Sequence, residues 1–499
     1  MSFRNAMAGI VLAVINAKWI HPSLAHRLLK ANLGPLEDCC QILEFALRQP
    51  LDEKTALILA ARPRILGLSV SIWNHKASLE LLRALETVWA GGGESAVPRP
   101  LVVLGGPEVS HLPPEAEILS HADRIICGEG EAVFRELCER LLGDLAVDKA
   151  NHNACDGLGL NTLPSASAVS GKFIIAKPAD LAALVPAYRL YAGEDLRQKL
   201  VYVEASRGCP FGCEFCLSSL DKKVREFPLE PFLGEMDALI RRGARTFKFL
   251  DRTFNLNIER ARRILEFFLD HLAETGGPSG PSSPEPAGEP PLCVHFEMVP
   301  SRFPPELREL LARFPPGSLR LEVGIQTFNR ETAALIGRPC APEAELEVLR
   351  FLGDHTNAIV HADLIAGLPG EGMASFGEGF DRLWIAGPGE IQLGILKCLP
   401  GTPIARRREV LGIRCSPEPP YEVLETSALP ATELDRIKNF ARFWELIVNR
   451  GAFRDLGPGL FPRGQPVFRS FLGLSDRLLA RFGRNWGIDR RELHAELRQ

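Results

Sequence analysis

Short apolar runs at residues 10–15, 42–45, 65–70, 101–104 and 124–126 alternate with stretches of helical periodicity through the first third of the chain. Continuous apolar runs of strand length, each separated from the next by a helix, predict a parallel sheet covered by helices on both faces. The alternation weakens over 146–198, a polar segment with one alternating run at 173–175, read as a connector carrying a hairpin. It resumes with strands predicted at 201–205, 246–250, 293–297, 319–325, 359–365 and 390–396, and with helices such as 259–272 and 343–353. Six strand–helix units predict an incomplete (β/α)6 barrel, whose working residues should project from the carboxyl ends of its strands. Residues 276–291, rich in proline, glycine and serine, read as a disordered insertion. From 399 the chain becomes richer in arginine and proline, then helical over 431–450 and 475–499. The expected organisation is α/β: a first domain over 1–145, the connector, a barrel over 199–398, and a small, mostly helical domain over 399–499.

Three predicted strands of the first domain run into loops of unusual composition. These are Ser69-Val70-Ser71-Ile72-Trp73-Asn74, Gly105-Gly106-Pro107-Glu108-Val109 and Gly128-Glu129-Gly130-Glu131. All would lie at the carboxyl edge, where open α/β sheets bind ligands and where glycine lets a large planar or phosphate-bearing group approach the backbone. The first strand is followed by Asn16-Ala17-Lys18-Trp19-Ile20-His21-Pro22 rather than G-x-G-x-x-G, which argues against a nicotinamide dinucleotide.

The most specific chemistry lies in Val201 to Cys216, V-Y-V-E-A-S-R-G-C-P-F-G-C-E-F-C. With twelve cysteines in 499 residues, C-x-x-x-C-x-x-C is expected by chance only about 0.007 times. Structural zinc usually takes four ligands, often as two separated pairs, whereas three closely spaced thiolates suit three corners of a four-iron cluster. This spacing, with Phe215 before the last cysteine, resembles the signature of the radical S-adenosylmethionine (radical SAM) superfamily. The resemblance implies a [4Fe–4S] cluster on Cys209, Cys213 and Cys216. It further implies that the open iron chelates S-adenosylmethionine, which is cleaved to a 5′-deoxyadenosyl radical. The edge segments G-L-S-V-S-I-W-N, V-V-L-G-G-P-E-V and I-I-C-G-E-G-E resemble the Rossmann-like cobalamin-binding domain of one branch of this superfamily. That likeness implies cobalamin held by Ser69, Ser71, Trp73, Asn74, Gly105, Gly106, Pro107, Glu108, Gly128, Glu129, Gly130 and Glu131. The sequence lacks the D-x-H-x-x-G that would supply a lower cobalt ligand. The P-P-Y-E-V-L-E-T piece at 419–426 resembles a subgroup of unassigned reaction, related to proteins like the anaerobic magnesium-protoporphyrin ester cyclase.

The same resemblance assigns nucleoside contacts at the barrel edge. Asp251, in F-L-D-R-T-F-N, would receive the ammonium of the methionine moiety by a charge-assisted bond, against the alternative of capping its own loop. Glu297 and Glu322 are carboxylates inside apolar runs, expensive unless paired with ligand or arginine. Gln326 shares that edge, and Asp363 begins D-L-I-A-G-L-P-G-E, which resembles the adenine-side run of the oxygen-independent coproporphyrinogen oxidase type of barrel. His21, His75 and His111 read as satisfied imidazoles rather than ligands.

A net charge of −4 gives no field for nucleic acid or anionic membrane, and no apolar run approaches a membrane span. The apolar start at residues 6–17 reads as a first buried strand rather than a signal peptide, consistent with a cytoplasmic location. The scattered remaining cysteines read as buried small hydrophobes rather than disulfides. The expected function is methylation of an unactivated carbon in a small-molecule or peptide substrate, with flavodoxin or ferredoxin as low-potential electron donor. Radical oxidation, cyclisation or rearrangement of a tetrapyrrole-like or other substrate is the alternative, and an iron–sulfur electron carrier or sensor the alternative of another class. A tRNA methylthiotransferase would need a second cysteine triad that Cys39, Cys40, Cys127 and Cys138 do not form.

Overall fold

The computed structural model describes residues 9–91, 97–142, 171–274, 292–451, 453, 461 and 465–498. The insertion expected at 276–291 and the first part of the connector lie outside the described residues. The chain forms two compact units, one of Met1–Val203 with Glu230–Ala244, the other of Glu204–Leu229 with Arg245–Gln499.

In the first unit, β1 (Ile10–Asn16), β2 (Cys40–Ala46), β3 (Ile65–Ser69), β4 (Leu101–Gly105), β5 (Arg124–Cys127) and β6 (Phe173–Ile175) make a parallel sheet in the order β2-β1-β3-β4-β5-β6. The chain enters α1 (Leu24–Ala31) through Ser23, whose hydroxyl accepts from the His26 N–H. The crossovers continue through α2 (Leu51–Ala61), α3 (His75–Ala90) and α4 (Glu131–Leu142). Val11, Ala13 and Ile15 pack into the core on one face, and Ile10 and Leu12 into that on the other, so β1 is apolar throughout because both its faces are covered. The expected hairpin at 173–175 is instead the parallel edge strand β6: Ile174 is buried while Phe173 and Ile175 are exposed, which gives a run that alternates. The last strand of this unit is β7 (Val201–Val203).

The second unit holds β8 (Thr246–Phe249), β9 (Cys293–Met298), β10 (Leu319–Gln326), β11 (Ile359–Ala366) and β12 (Glu390–Ile395), neighbours in that order and parallel throughout. Counted along the chain from β7, these complete the six strand–helix units of an incomplete barrel. Helices α5 (Ile258–Glu274), α6 (Pro342–His355) and α7 (Met373–Ala386) clothe the strands.

The helical region expected over 399–499 is present among the described residues, and it packs on the barrel. α8 (Ala431–Trp444) and α9 (Phe468–Phe482) share an aromatic core with the barrel helix α7, in which Phe380 meets Phe440, Trp444 and Phe468. A Cβ on Gly377 would stand 2.4 Å from Phe468, so α7 approaches α9 only because glycine is there. Helix at 475–499 breaks after α9, where Gly483 takes φ +64°, and resumes at Arg490–Leu497. An antiparallel pair, Ile413–Cys415 with Val423–Thr426, precedes these helices, and Cys398 is disulfide-bonded to Cys415. That pair corrects the expectation of unpaired cysteines: the Lys397–Glu422 bridge brings the hairpin beside residue 398. No described helix is long and apolar enough to cross a membrane.

Candidate active site

In parallel strands, residues two apart share a face, and the register decides which strands' side chains meet. Lys248 pairs with His295, Glu297 with Glu322, Glu322 with His361, and Gly324 with Asp363. At the carboxyl ends of these strands lies a cavity of about 320 Å³, lined by Cys209, Cys213, Phe215 and Cys216 together with Glu297, Glu322, Gln326 and Asp363. The structure thus brings together all the cysteines and carboxylates expected there except Asp251.

Asp251 is turned away. Its buried carboxylate accepts from the Ala205 N–H at 2.9 Å and from the Ser206 hydroxyl at 2.6 Å, and burial raises its pKa to about 6. The next residue, Arg252, reaches the cavity and donates to Glu297 Oε1 at 3.1 Å.

The cysteine loop is fixed by backbone contacts. The Cys209 N–H donates to Asp221 O at 3.0 Å, Cys216 N–H to Cys213 O at 3.1 Å, and Glu214 N–H to Ile336 O at 2.9 Å. Gly208, at φ +95°, lies where a Cβ would stand 2.4 Å from the Lys223 carbonyl oxygen. Burial pushes the Cys209 thiol up from its ordinary pKa. Among the described residues no three His, Cys, Asp or Glu side chains converge on a point that would hold one metal ion. A four-iron cluster makes a different demand, since each thiolate takes its own iron at a separate corner of the cube. Three soft donors around one cavity, with carboxylates and two arginines in the rest of the lining, fit that group. Cys340 also lines the cavity, but its Sγ faces Thr327 O at 3.8 Å.

The carboxylates differ in protonation. Glu322 is held down to about 2 by its contact with His295, 3.4 Å away, and by Lys248 at 3.3 Å. Burial raises Glu297 despite Arg252. Asp363 is raised to about 8, first by burial and then by the charges of Glu322 and Glu297, and its buried Oδ1 has no hydrogen-bond partner. A cationic ligand group in the cavity that Asp363 lines would favour the ionised form of this carboxyl. Below this layer, His295 and His361 stack with centroids 5.7 Å apart, and His361 Nδ1 lies 3.0 Å from both Glu390 and Gln392. Lys248, Arg252, His295, Arg338 and His361 were not anticipated. The signal was available for two of them, since His295 stands two residues before Glu297 and His361 two before Asp363 in the same alternation.

In the first unit the expected residues do cluster at the carboxyl edge of β3, β4 and β5, with differing roles. Asn74 is buried, its Oδ1 accepting from the Ser71 N–H at 2.7 Å and its Nδ2 donating to Ile15 O at 2.9 Å, so it ties the loop after β3 to β1. Gly106 takes φ +105°, and a Cβ there would meet Val70 O at 2.5 Å. The Ser110 hydroxyl donates to Gly106 O at 2.8 Å and accepts from the Gly128 N–H at 3.3 Å, joining two of the loops. Glu108 pairs with His75 at 2.8 Å, Glu129 accepts from the Ala179 N–H at 2.7 Å, and Glu131 is buried at the start of α4. Ser69 and Gly105 end their strands, and Pro107 and Gly130 complete the loops. Trp73 remains 55% exposed beside these glycine turns, giving an apolar, closely approachable edge suited to a large planar ring. His21 Nδ1 bonds the Tyr202 hydroxyl at 2.8 Å, and His75 Nδ1 lies 2.8 Å from the Glu108 carboxylate.

Residues 203–383 match the radical SAM superfamily model. The 2-(S-pantetheinyl)-carbapenam-3-carboxylate methyltransferase of Streptantibioticus cattleyicolor is 24% identical over 388 residues, covering 75% of this chain and 53% of the relative. The cobalamin-dependent radical SAM methyltransferase TokK of Streptomyces tokunonensis is 24% identical over 405 residues, 74% of this chain and 54% of the relative. The chain therefore spans about half the length of the curated relatives it matches. Among solved structures, the cobalamin-dependent S-adenosylmethionine radical enzyme OxsB, with aqua-cobalamin and S-adenosylmethionine bound, superposes with a TM-score of 0.62 at 16% identity, over 98% of this chain and 75% of that one. With its cysteine loop at the barrel mouth and a Rossmann-like unit ahead of it in sequence, the chain carries a radical SAM domain over residues 203–383 and shares the fold of OxsB.

Proposed function

We propose that the protein is a cobalamin-dependent radical SAM methyltransferase acting on an unactivated carbon of a small-molecule or peptide substrate. The observation that carries this reading is one cavity lined by Cys209, Cys213 and Cys216 together with acidic residues, Glu297, Glu322 and Asp363 among them. Two curated relatives named as methyltransferases, one of them cobalamin-dependent, support the reaction type. When bound, cluster and S-adenosylmethionine supply a 5′-deoxyadenosyl radical, and a corrinoid supplies a methyl carrier.

The protein's part is binding, orientation and charge. The three thiolates would hold the cluster. Asp363, protonated at neutral pH, would give up its proton on receiving the ammonium of S-adenosylmethionine. Glu322, kept ionised by Lys248 and His295, supplies fixed negative charge beside it. Phe211, Phe215, Met298 and Val299 give the wall its apolar share, which limits water at the reacting centre. The glycine turns and Trp73 of the first unit would receive the corrin ring. A one-electron donor of the flavodoxin or ferredoxin class would reduce the cluster. A carrier or sensor has no use for an open acidic wall facing its cluster, and that wall favours an enzyme.

The test is anaerobic reconstitution, reduction and addition of S-adenosylmethionine. The expected results are 5′-deoxyadenosine, a corrinoid visible spectrum in the isolated protein, and product heavier by one methylene unit. Failure to form 5′-deoxyadenosine would overturn the enzyme reading in favour of a carrier; product lighter by hydrogens would replace methylation by oxidation.

A further inference from the structure

One side chain beyond the cavity carboxylates is aimed at the cysteine loop itself. Arg338 Nη1 lies 3.8 Å from Cys213 Sγ, Nε donates to Ile325 O at 3.2 Å, and Nη2 donates to Gly324 O. The two carbonyls belong to the end of β10, where the pairing shifts between Gly324 and Gln326 and Gln326 takes φ +71°. The irregularity presents both oxygens to one guanidinium, whose planar fork can grip them while directing its remaining edge at sulfur. The segment bearing Arg338 is itself locked to the cysteine loop. Glu214 N–H donates to Ile336 O at 2.9 Å, and a Cβ on Gly337, at φ +63°, would stand 2.8 Å from Gly212 O.

We propose that Arg338 is a positioning residue that holds a charged N–H against the Cys213 sulfur and thereby raises the reduction potential of the cluster. This rests on the reading that the triad holds a four-iron cluster. Reduction by one electron adds negative charge next to three thiolates, and a fixed cation with a donor on one sulfur stabilises the reduced form more than the oxidised one. Arg252 is paired with Glu297, whereas Arg338 Nη1 contacts the Cys213 sulfur itself.

Wild type, Arg338→Gln, Arg338→Lys and the surface control Arg414→Gln are reconstituted, assayed for iron and sulfide, and titrated potentiometrically by electron paramagnetic resonance without substrate. With full loading, Arg338→Gln should lower the reduction equilibrium constant at least tenfold, a midpoint about 59 mV more negative for one electron. Arg338→Lys should fall between it and wild type, and Arg414→Gln should match wild type. A fully loaded Arg338→Gln with the wild-type midpoint overturns the proposal. If that variant loses its cluster, the lysine variant decides: a lowered midpoint supports the proposal, and a wild-type midpoint or loss of the cluster there too overturns it in favour of a purely structural clamp. Wild type that binds no four-iron cluster removes the underlying reading, and this proposal with it.

Discussion

Replacing Asp363 by Asn should stabilise the cluster-free barrel increasingly as pH rises from 4 to 8. Asp363 faces Glu322 from β10, Glu297 from β9, Lys248 from β8 and Arg338, and the burial and two carboxylates outweigh the cations, raising its pKa from 3.8 to about 8. A carboxyl that holds its proton more tightly folded than unfolded contributes full stability below the unfolded pKa and loses it as pH climbs to the folded one. At pH 7 the loss spans about three units, at most about 4 kcal/mol at 1.36 kcal/mol per unit. Asparagine is neutral in both states and escapes it. Because the chain has two units, local readout is preferable to a global melt. Hydrogen exchange of peptides covering 319–326 and 359–366, compared between wild type and variant at matched pH, cancels intrinsic exchange chemistry. The protection ratio should climb about tenfold per pH unit, approach a thousandfold at pH 7, and level off above 8. A ratio that stays constant across the range would refute a raised, buried Asp363. The same variant should bind S-adenosylmethionine more weakly, a stability gain at the expense of a site.

Gly208→Ala should cost about 2–4 kcal/mol from its positive φ and the clash with Lys223 O, and cut iron content on reconstitution, whereas Gly234→Ala, with open space at its Cβ inside the helix Leu229–Arg241, should gain about 0.5–1 kcal/mol. Asn74→Ala should destabilise the first unit by about 2–4 kcal/mol, because it strands the Ser71 N–H and Ile15 carbonyl; urea unfolding by fluorescence and corrinoid retention would both register it. His26 is buried against Ala13 O at 3.0 Å and its pKa is lowered by burial to about 4, so the folded state resists the proton that the unfolded chain binds near 6.5. The first unit should therefore lose up to about 3 kcal/mol as pH falls from 6.5 to 4, seen as faster exchange in peptides covering 10–16, and His26→Gln should flatten that dependence.

The parallel sheets were legible because both faces of each strand are covered, so that runs such as 10–15 and 319–325 carry their fold in their own composition. The edge strand at 173–175 was misread for the opposite reason: with a single buried residue, nothing local distinguishes a parallel partner from a hairpin. Cysteine spacing located the candidate cluster loop, apolar context located Glu297 and Glu322, and the resemblance of the D-L-I-A-G-L-P-G run located Asp363. Asp251 was located by the same resemblance, yet its carboxylate accepts from the Ala205 N–H and the Ser206 hydroxyl, a choice decided by loop geometry. Arg338 was invisible because its meaning comes from a register shift and a contact 125 residues back along the chain. The C-terminal helices were legible from their periodicity, whereas the close approach of Gly377 to Phe468 that packs them on the barrel was not.

The backbone partners of the cysteine loop bear on the order of assembly. Glu214 is gripped through its N–H by Ile336 and through its carbonyl by the Ile404 N–H, both far downstream. A chain still emerging, ended before these partners exist, offers three tethered thiols with no scaffold to space them. If the triad holds the proposed cluster, iron insertion follows barrel closure, and pulse-labelled chains truncated before residue 336 should take up no stable iron.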